Sequence, residues 1–131
     1  MNIFKMVVYL TTFFLSFSSC KVEKKDVPGV YVSRNNVNTI DTLIIEANNR
    51  YINILHRKTD NSLIYGNTGT WNVENSYITF DKFLSDEDDI YSKDFSKYEE
   101  ILITTKIPLE KKFGTIIIPH TMFDYIYLEK I

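Results

Sequence analysis

The sequence IDTLIIE at residues 40–46, followed by ANN at 47–49 and RYINILHR at 50–57, decides the fold. Both outer segments are rich in β-branched and aromatic residues, which favour strands. Asn48 and Asn49 tolerate the left-handed conformation that a tight hairpin turn needs. The stretch therefore predicts a β-hairpin. Apolar residues occupy both faces of 50–57, so this strand is either buried on both sides or offers one side to a partner.

Segments of the same composition continue on both sides of this hairpin. Further strands are predicted at residues 30–33, 63–73, 77–80, 101–107, 115–118 and 123–128. Gly66 and Gly69 predict a bulge or a bend in the longest of them, and residues 108–114 are predicted to form a basic loop. About eight short strands, spaced by roughly ten residues, predict an all-β fold, a small antiparallel meander barrel.

The composition limits the number of domains and the class of partner. Of the 131 residues, 15% are aromatic, whereas alanine occurs once, at Ala47, so the composition is that of strands rather than of a helical bundle. Lys and Arg number 15 and Asp and Glu number 17, which gives a net charge of −2. A chain of this size forms one domain, and its slight negative charge argues against a nucleic-acid partner.

The first twenty residues have the three parts of a secretory signal peptide. Lys5 supplies a positive charge, residues 6–17 (MVVYLTTFFLSF) form an apolar run without a charge, and Ser18 and Ser19 precede Cys20. The apolar run is shorter than the roughly 20 residues that a membrane-spanning helix needs. Residues 1–19 are therefore predicted to be a helical signal peptide that directs export.

Cys20 follows small residues at the end of an apolar run, and this arrangement resembles the lipobox of bacterial lipoproteins. Phe17 stands where an aliphatic residue is usual, and the looser box is similar to that of Bacteroidetes envelope lipoproteins. The resemblance implies cleavage before Cys20, acylation of the cysteine, and anchorage of the chain in a lipid bilayer. A lone cysteine in an exported chain forms no internal disulfide, which agrees with lipidation.

The resemblance also implies a domain plan and a location. Residues 1–19 are the signal peptide, residues 20–27 the lipidated cysteine with a charged tether, and residues 28–131 the lipocalin-like barrel domain. Lys21 follows the cysteine, which resembles sorting to the outer membrane of the cell envelope with the domain facing the periplasm; exposure at the cell surface is the alternative. Removal of residues 1–19 would leave 112 of the 131 residues.

A second resemblance covers about half of the processed chain. It rests on the segments Gly29-Val-Tyr31, Asp41-Thr-Leu-Ile-Ile45, Arg50-Tyr51, Gly69-Thr-Trp71 and Tyr77-Ile-Thr-Phe80. Their order is similar to that of small lipocalin-like barrel lipoproteins of the bacterial envelope, and it implies a β-barrel. Copper-stress lipoproteins of similar build carry a Cys-x-x-Cys motif. This chain lacks the motif, so the resemblance does not extend to metal sensing.

Aromatic residues occupy alternating positions of the predicted strands. They are Tyr31, Tyr51, Trp71, Phe80, Tyr125 and Tyr127. The interior of a barrel of about eight strands is either filled by side chains or holds one small ligand. These six residues are therefore predicted either to form the core or to line a pocket for an apolar or amphipathic ligand, with tyrosine hydroxyls as its polar groups.

No set of residues predicts catalysis or a bound cofactor, so the chain is predicted not to be an enzyme. His56 and His120 are too few for a zinc site, which needs three or four converging ligands, and both are predicted to face solvent. The acidic run at 86–89 lacks the spacing and the glycine of a calcium-binding loop. Residues 85–100, with seven acidic and two basic side chains, are predicted to be a solvated segment.

Two functions remain open at this point. In the first, the barrel binds a small apolar or amphipathic ligand in the cell envelope. In the second, a barrel filled by side chains binds another envelope protein, through the strand at 50–57 and the acidic segment at 85–100.

Overall fold

The computed structural model describes residues 21–83, 103–120 and 126–131. It contains a short 3-10 turn, η1 (Lys24–Asp26), and nine strands. The strands are β1 (Gly29–Arg34), β2 (Thr39–Ile45), β3 (Arg50–Arg57), β4 (Leu63–Glu74), β5 (Tyr77–Phe83), β6 (Ile103–Pro108), β7 (Glu110–Lys112), β8 (Thr115–Pro119) and β9 (Tyr127–Lys130). The predicted signal peptide, Cys20, the acidic segment 85–100 with its run at 86–89, and Tyr125 lie outside the described residues.

All nine strands form one antiparallel sheet, in the order β6-β5-β4-β3-β2-β1-β9-β8-β7. The two strands at its edges, β6 and β7, are consecutive in the chain and are separated by Leu109 alone. The Leu109 N–H donates to the carbonyl oxygen of Ser76 (2.8 Å), and β6 also contacts β8 across the gap. The sheet therefore curls into a nearly closed barrel.

The prediction of an all-β antiparallel meander barrel is confirmed, with one strand more than the eight expected. The additional strand, β7, lies in the segment 108–114 that was predicted to be a loop. It pairs with β8 over three residues and its side chains are all exposed. Because β7 consists of a glutamate and two lysines, residues that are depleted in strands, its composition gives no signal for a strand.

β2 and β3 form the hairpin that the sequence predicts, and their pairing shows which face of β3 is inside. The buried residues of β3 are Tyr51, Asn53 and Leu55, and they lie opposite Ile45, Leu43 and Asp41 of β2. Ile52 and Ile54 are half-buried on the outer face. Asn49 in the turn has a φ of 66°, as expected for the left-handed conformation of a tight hairpin turn.

Residues 21–27 pack against one end of the barrel. Val22 and Val27 are buried in the same core cluster as the strands, and the Tyr31 hydroxyl donates to the carbonyl oxygen of Val27 (2.6 Å). The segment that was predicted to be a charged tether is thus part of the folded domain from Val22 onward. Its charged residues point outward while its two valines cover the core, a division that composition alone does not reveal.

This packing distinguishes the two ends of the barrel. η1 contacts β4, and antiparallel pairing places the turns at 47–49, 75–76 and 113–114 at the same end. We call it the N-terminal end. The opposite end, which we call the distal end, carries the loops at 35–38 and 58–62 and the residues that follow β8.

Aromatic side chains form the centre of the core. Tyr31, Tyr51 and Phe80 are among its largest fully buried side chains. The Phe80 ring lies edge-on to Tyr51, with ring centroids 5.2 Å apart and an interplanar angle of 79°. It also stacks on Phe83, at 4.5 Å and 18°. Both are geometries that aromatic pairs prefer, so this cluster is well-packed rather than open.

Candidate functional site

Polar side chains are buried inside the barrel, toward its distal end. In the described part of the chain the buried polar residues are Asn36, Thr39, Asp41 and Asn53. Thr39 and Asp41 share the inward face of β2 with Leu43 because residues two apart along a strand point to the same side. Burying polar groups costs free energy unless they are hydrogen-bonded, so a cluster of them inside a small barrel points to a specific role.

A cavity of about 20 Å³ lies next to these polar residues. The described residues around it are Ser33, Asn36, Asp41, Phe83, Ile107, Ile118, Pro119, His120, Ile126, Tyr127 and Leu128. The polar lining comes from Ser33 on β1, Asn36 in the following loop, Asp41 on β2 and His120, and we call these four residues the polar wall. The rest of the lining is mainly apolar and comes from β5, β6, β8 and β9, where Leu128 is the cross-strand neighbour of Ser33. The cavity thus joins a hydrogen-bonding surface to a hydrophobic one.

Hydrogen bonds hold the polar wall in place. The Asp41 backbone N–H donates to Ser33 Oγ (2.8 Å), and Asn36 Nδ2 donates to Thr39 Oγ1 (3.3 Å). Lys58 Nζ donates to the backbone carbonyl oxygen of Asn36 and thereby ties the 35–38 loop to the neighbouring β3–β4 loop. These contacts hold the polar side chains and the 35–38 loop in fixed positions, so the cavity is preorganised.

The six aromatic residues predicted to bind a ligand do not form one group. Tyr31, Tyr51, Trp71 and Phe80 lie in the core. Tyr127 is half-buried and lines the cavity, and Tyr125 lies outside the described residues. The sequence predicts either a core role or a pocket role for these residues, and the structure shows core contacts for the first four. A ligand-binding role for the whole set stays a prediction.

The polar groups of the core aromatics bond to the backbone. The Tyr51 hydroxyl donates to the carbonyl oxygen of Asp81 (2.5 Å), and Trp71 Nε1 donates to that of Glu46 (2.8 Å). Burial raises the pKa of both Tyr31 and Tyr51 above the ordinary value of 10.0, and at Tyr51 the charge of Asp81 adds to the effect. Both tyrosines are therefore neutral hydrogen-bond donors at physiological pH.

His120 differs from the prediction that both histidines face solvent. His120 is half-buried and lines the cavity. Its backbone N–H donates to the carbonyl oxygen of Ile126 (3.0 Å). His56 is half-buried on β3. Across residues 21–83, 103–120 and 126–131 there is no group of three or more His, Cys, Asp or Glu side chains that would hold a metal ion.

The polar wall is the part of the site that sequence reasoning missed. Asp41 precedes Leu43 and Ile45 at two-residue steps, and this spacing alone places its carboxyl group on the inward face. Ser33 stands in the same relation to Tyr31 on β1. Asn36 and His120 are in loops, where no periodicity applies, so their positions follow only from the folded chain.

Comparison with known protein families, with curated proteins and with solved structures finds no match for this chain. Within the described residues, no helix has both the length and the hydrophobicity needed to cross a bilayer.

Proposed function

We propose that this chain is a non-enzymatic lipoprotein of the bacterial cell envelope whose barrel binds a small amphipathic ligand at its distal end. The observation that carries this proposal is the cavity, whose lining combines Ser33, Asn36, Asp41 and His120 with apolar side chains. Ligand sites typically combine an apolar surface with a few polar groups that fix orientation. A ligand with a polar head and an apolar chain combines the same two kinds of group.

The size of the cavity restricts what enters it. A volume of about 20 Å³ is enough for roughly one water-sized group, whereas sites for drug-sized ligands measure about 300–1,000 Å³. We infer that the polar head of the ligand enters the cavity and that its apolar part lies at the mouth. Because Asp41 supplies a carboxyl group to the wall, a head group that donates hydrogen bonds fits better than an anionic one.

Short amphiphiles with a common butyl chain test this site. We expect butylammonium and butanol to shift the NMR signals of the residues around the cavity in the acylated protein held in nanodiscs, and butyrate to leave them unchanged. Asp41→Asn should weaken butylammonium binding about tenfold or more, because a hydrogen bond to a charged group contributes about 1.5–3 kcal/mol. Titration of each variant with the three compounds measures the effect.

Asp60→Asn is the matched control for that titration. Asp60 lies in the exposed 58–62 turn, where its carboxylate accepts hydrogen bonds from Ser62, and the variant makes the same charge change without touching the cavity. The asparagine side chain keeps an acceptor oxygen for the turn. Equal losses of affinity in the two variants, or no shift with any of the three compounds, would contradict a ligand site at Asp41.

The proposed anchor has its own test. In Cys20→Ala we expect complete loss of acylation and of cleavage before residue 20, because the thiol that receives the lipid is absent. Mass spectrometry of the processed N-terminus should find acyl chains on Cys20 in the native sequence, where two or more chains give stable membrane anchorage. Cys20→Ser is a second variant with nearly native size and polarity. An unmodified thiol in the native chain would rule out the lipoprotein assignment.

A second candidate function, binding of another envelope protein, is favoured by the rim of the distal end. Val37, Leu63 and Ile103 are exposed at that end to 73%, 63% and 64%, and the cavity at the same end is small. Exposed apolar groups are a common feature of protein-binding surfaces. Gentle extraction from membranes separates the two candidates: a bound small molecule supports the first, and a stoichiometric protein that is lost from Leu63→Ser supports the second.

A further inference from the structure

The turn between β7 and β8 carries a fully exposed aromatic ring. Lys112 pairs with Thr115, so Phe113 and Gly114 form a two-residue hairpin turn with φ angles of 51° and 79°. The Phe113 side chain has no part in the core and is the most exposed large hydrophobic residue in the described part of the chain. Lys111 and Lys112 are also exposed beside the tip, and Lys112 Nζ lies 3.6 Å from Glu110 Oε2.

Neither the turn nor the core explains a phenylalanine at this position. Two-residue turns with positive φ at both positions favour Asn-Gly, and a bulky side chain in the left-handed region is strained. An exposed ring also gains nothing from burial in the folded chain. A strained and solvent-exposed aromatic residue is the kind of outlier from which a function can be inferred.

The position of Phe113 on the barrel identifies what it contacts. β8 runs from the N-terminal end toward the distal end, so the turn that precedes it lies at the N-terminal end, as do residues 21–27. Val22 is already buried in the core, which leaves Lys21 alone between the domain and Cys20. One residue spans at most about 3.6 Å, which is less than the roughly 5–7 Å thickness of the headgroup layer of a bilayer. An acylated Cys20 would therefore hold the N-terminal end of the barrel at the lipid surface.

We propose that the tip of the β7–β8 hairpin inserts Phe113 into the lipid surface to which Cys20 is anchored. This inference rests on the lipid anchor of the proposed function and adds a second point of contact to it. Aromatic rings favour the membrane interface, and lysines beside them extend their amines to the headgroups while their methylene stems stay apolar. Two contacts at one end hold the barrel with its N-terminal end on the membrane.

This orientation determines how a ligand reaches the site. The cavity lies at the distal end, so it faces away from the bilayer that holds the anchor. The ligand therefore arrives from the aqueous phase or from a facing surface, and not by lateral diffusion within that bilayer.

Site-specific labelling tests the lipid contact. Acylation consumes the thiol of Cys20, which is the sole cysteine, so Phe113→Cys offers a unique site for a polarity-sensitive fluorophore. Leu63→Cys, an exposed apolar position at the distal end, is the matched control. After reconstitution of the full acylated protein into phosphatidylcholine–phosphatidylglycerol vesicles, nitroxide lipids should quench the label at position 113 at least about twofold and leave the label at position 63 unquenched.

Each outcome of this experiment has a definite meaning. Equal quenching at the two positions, or a label at position 113 that stays in water on acylated protein, would overturn the hairpin contact while the anchor stands. Protein whose mass shows no acyl chains would overturn the anchor, and the contact inferred from it as well. The mass and the quenching therefore distinguish failure of the proposed function from failure of this inference.

A second variant separates membrane contact from a structural role. Asparagine suits the left-handed turn better than phenylalanine, so Phe113→Asn should raise the Tm by about 4 °C. The same substitution should reduce by at least about half the nitroxide quenching of a label placed through Lys111→Cys. A fall in Tm with unchanged quenching would show that Phe113 serves the fold and would contradict the proposal.

Discussion

Gly69→Val is expected to destabilise the domain by about 3 kcal/mol, because the inward face of β4 has no room for a side chain at this position. A Cβ at Gly69 would lie 2.5 Å from the Asp81 carbonyl oxygen and 2.6 Å from Cε1 of Tyr51. Tyr51 is directly opposite in β3, and its hydroxyl is bonded to Asp81. The ring therefore cannot move away without losing that hydrogen bond.

Gly66, three residues earlier in β4, provides the control for this prediction. A Cβ there would have no atom within 4 Å, and the residue points to the outer face of the barrel. Gly66→Val should be neutral or slightly stabilising, since glycine weakens a strand and valine favours one. Urea unfolding followed by the fluorescence of Trp71, the sole tryptophan, measures both variants. Similar losses of stability in the two variants would mean that replacing either glycine of β4 is destabilising in itself. The close approach of Tyr51 to Gly69 would then not be the cause.

The contrast between these glycines shows how far the sequence predicts the fold. Both were expected to mark a bulge or a bend in β4. The irregularity does lie in β4, but at Ile64 and at neither glycine, because Leu55 pairs with Tyr65 and His56 pairs with Leu63. Gly69 is required by a ring on the neighbouring strand. That requirement depends on the cross-strand register, which the sequence of one strand does not contain.

The alternation of apolar and polar residues predicts strands correctly wherever a strand has one buried face. It predicted the β2–β3 hairpin and most strand positions, since these follow from alternating burial and turn residues. It gave no guide for Val22 and Val27, which lie in a charged segment that resembles a tether in composition. It also gave none for β7, which is exposed on all its residues and is held by pairing with β8.

The sequence predicts the position of a strand residue of the site but not the positions of its loop residues. Asp41 lies at a strand position that alternation predicts to be inward. Its burial therefore follows from the sequence, although a charged residue is usually expected to be exposed. Asn36 and His120 reach the cavity from loops. Their positions depend on contacts such as the one between Lys58 and the 35–38 loop, which join residues far apart in the chain.

The interior of the barrel holds a packed aromatic cluster with the cavity beside it. The cluster of Tyr51, Phe80 and Phe83 is tightly packed, whereas the cavity beside Phe83 is lined by polar, aliphatic and aromatic side chains. Phe83 belongs to both. Because Phe83 is held by the other two rings, the aromatic cluster gives this side of the cavity a fixed surface.

Phe80→Ala is expected to destabilise the domain by about 3–5 kcal/mol, the range for removing a buried aromatic ring. Phe80 is fully buried, and its loss removes the edge-on contact with Tyr51 and the stacking on Phe83. Small domains have a total stability of about 5–15 kcal/mol, so the variant should unfold at a much lower urea concentration, which circular dichroism measures.

Phe80→Leu provides the comparison that separates a core role from a ligand-binding one. Leucine keeps most of the apolar volume, so this variant should lose about 1 kcal/mol and stay folded. If Phe80 belongs to the core, butylammonium should bind Phe80→Leu with unchanged affinity, since the residue is not among those around the cavity. Full stability together with lost binding would instead assign Phe80 to the ligand site. The six aromatic residues would then have to be reconsidered as one pocket that opens when the ligand enters.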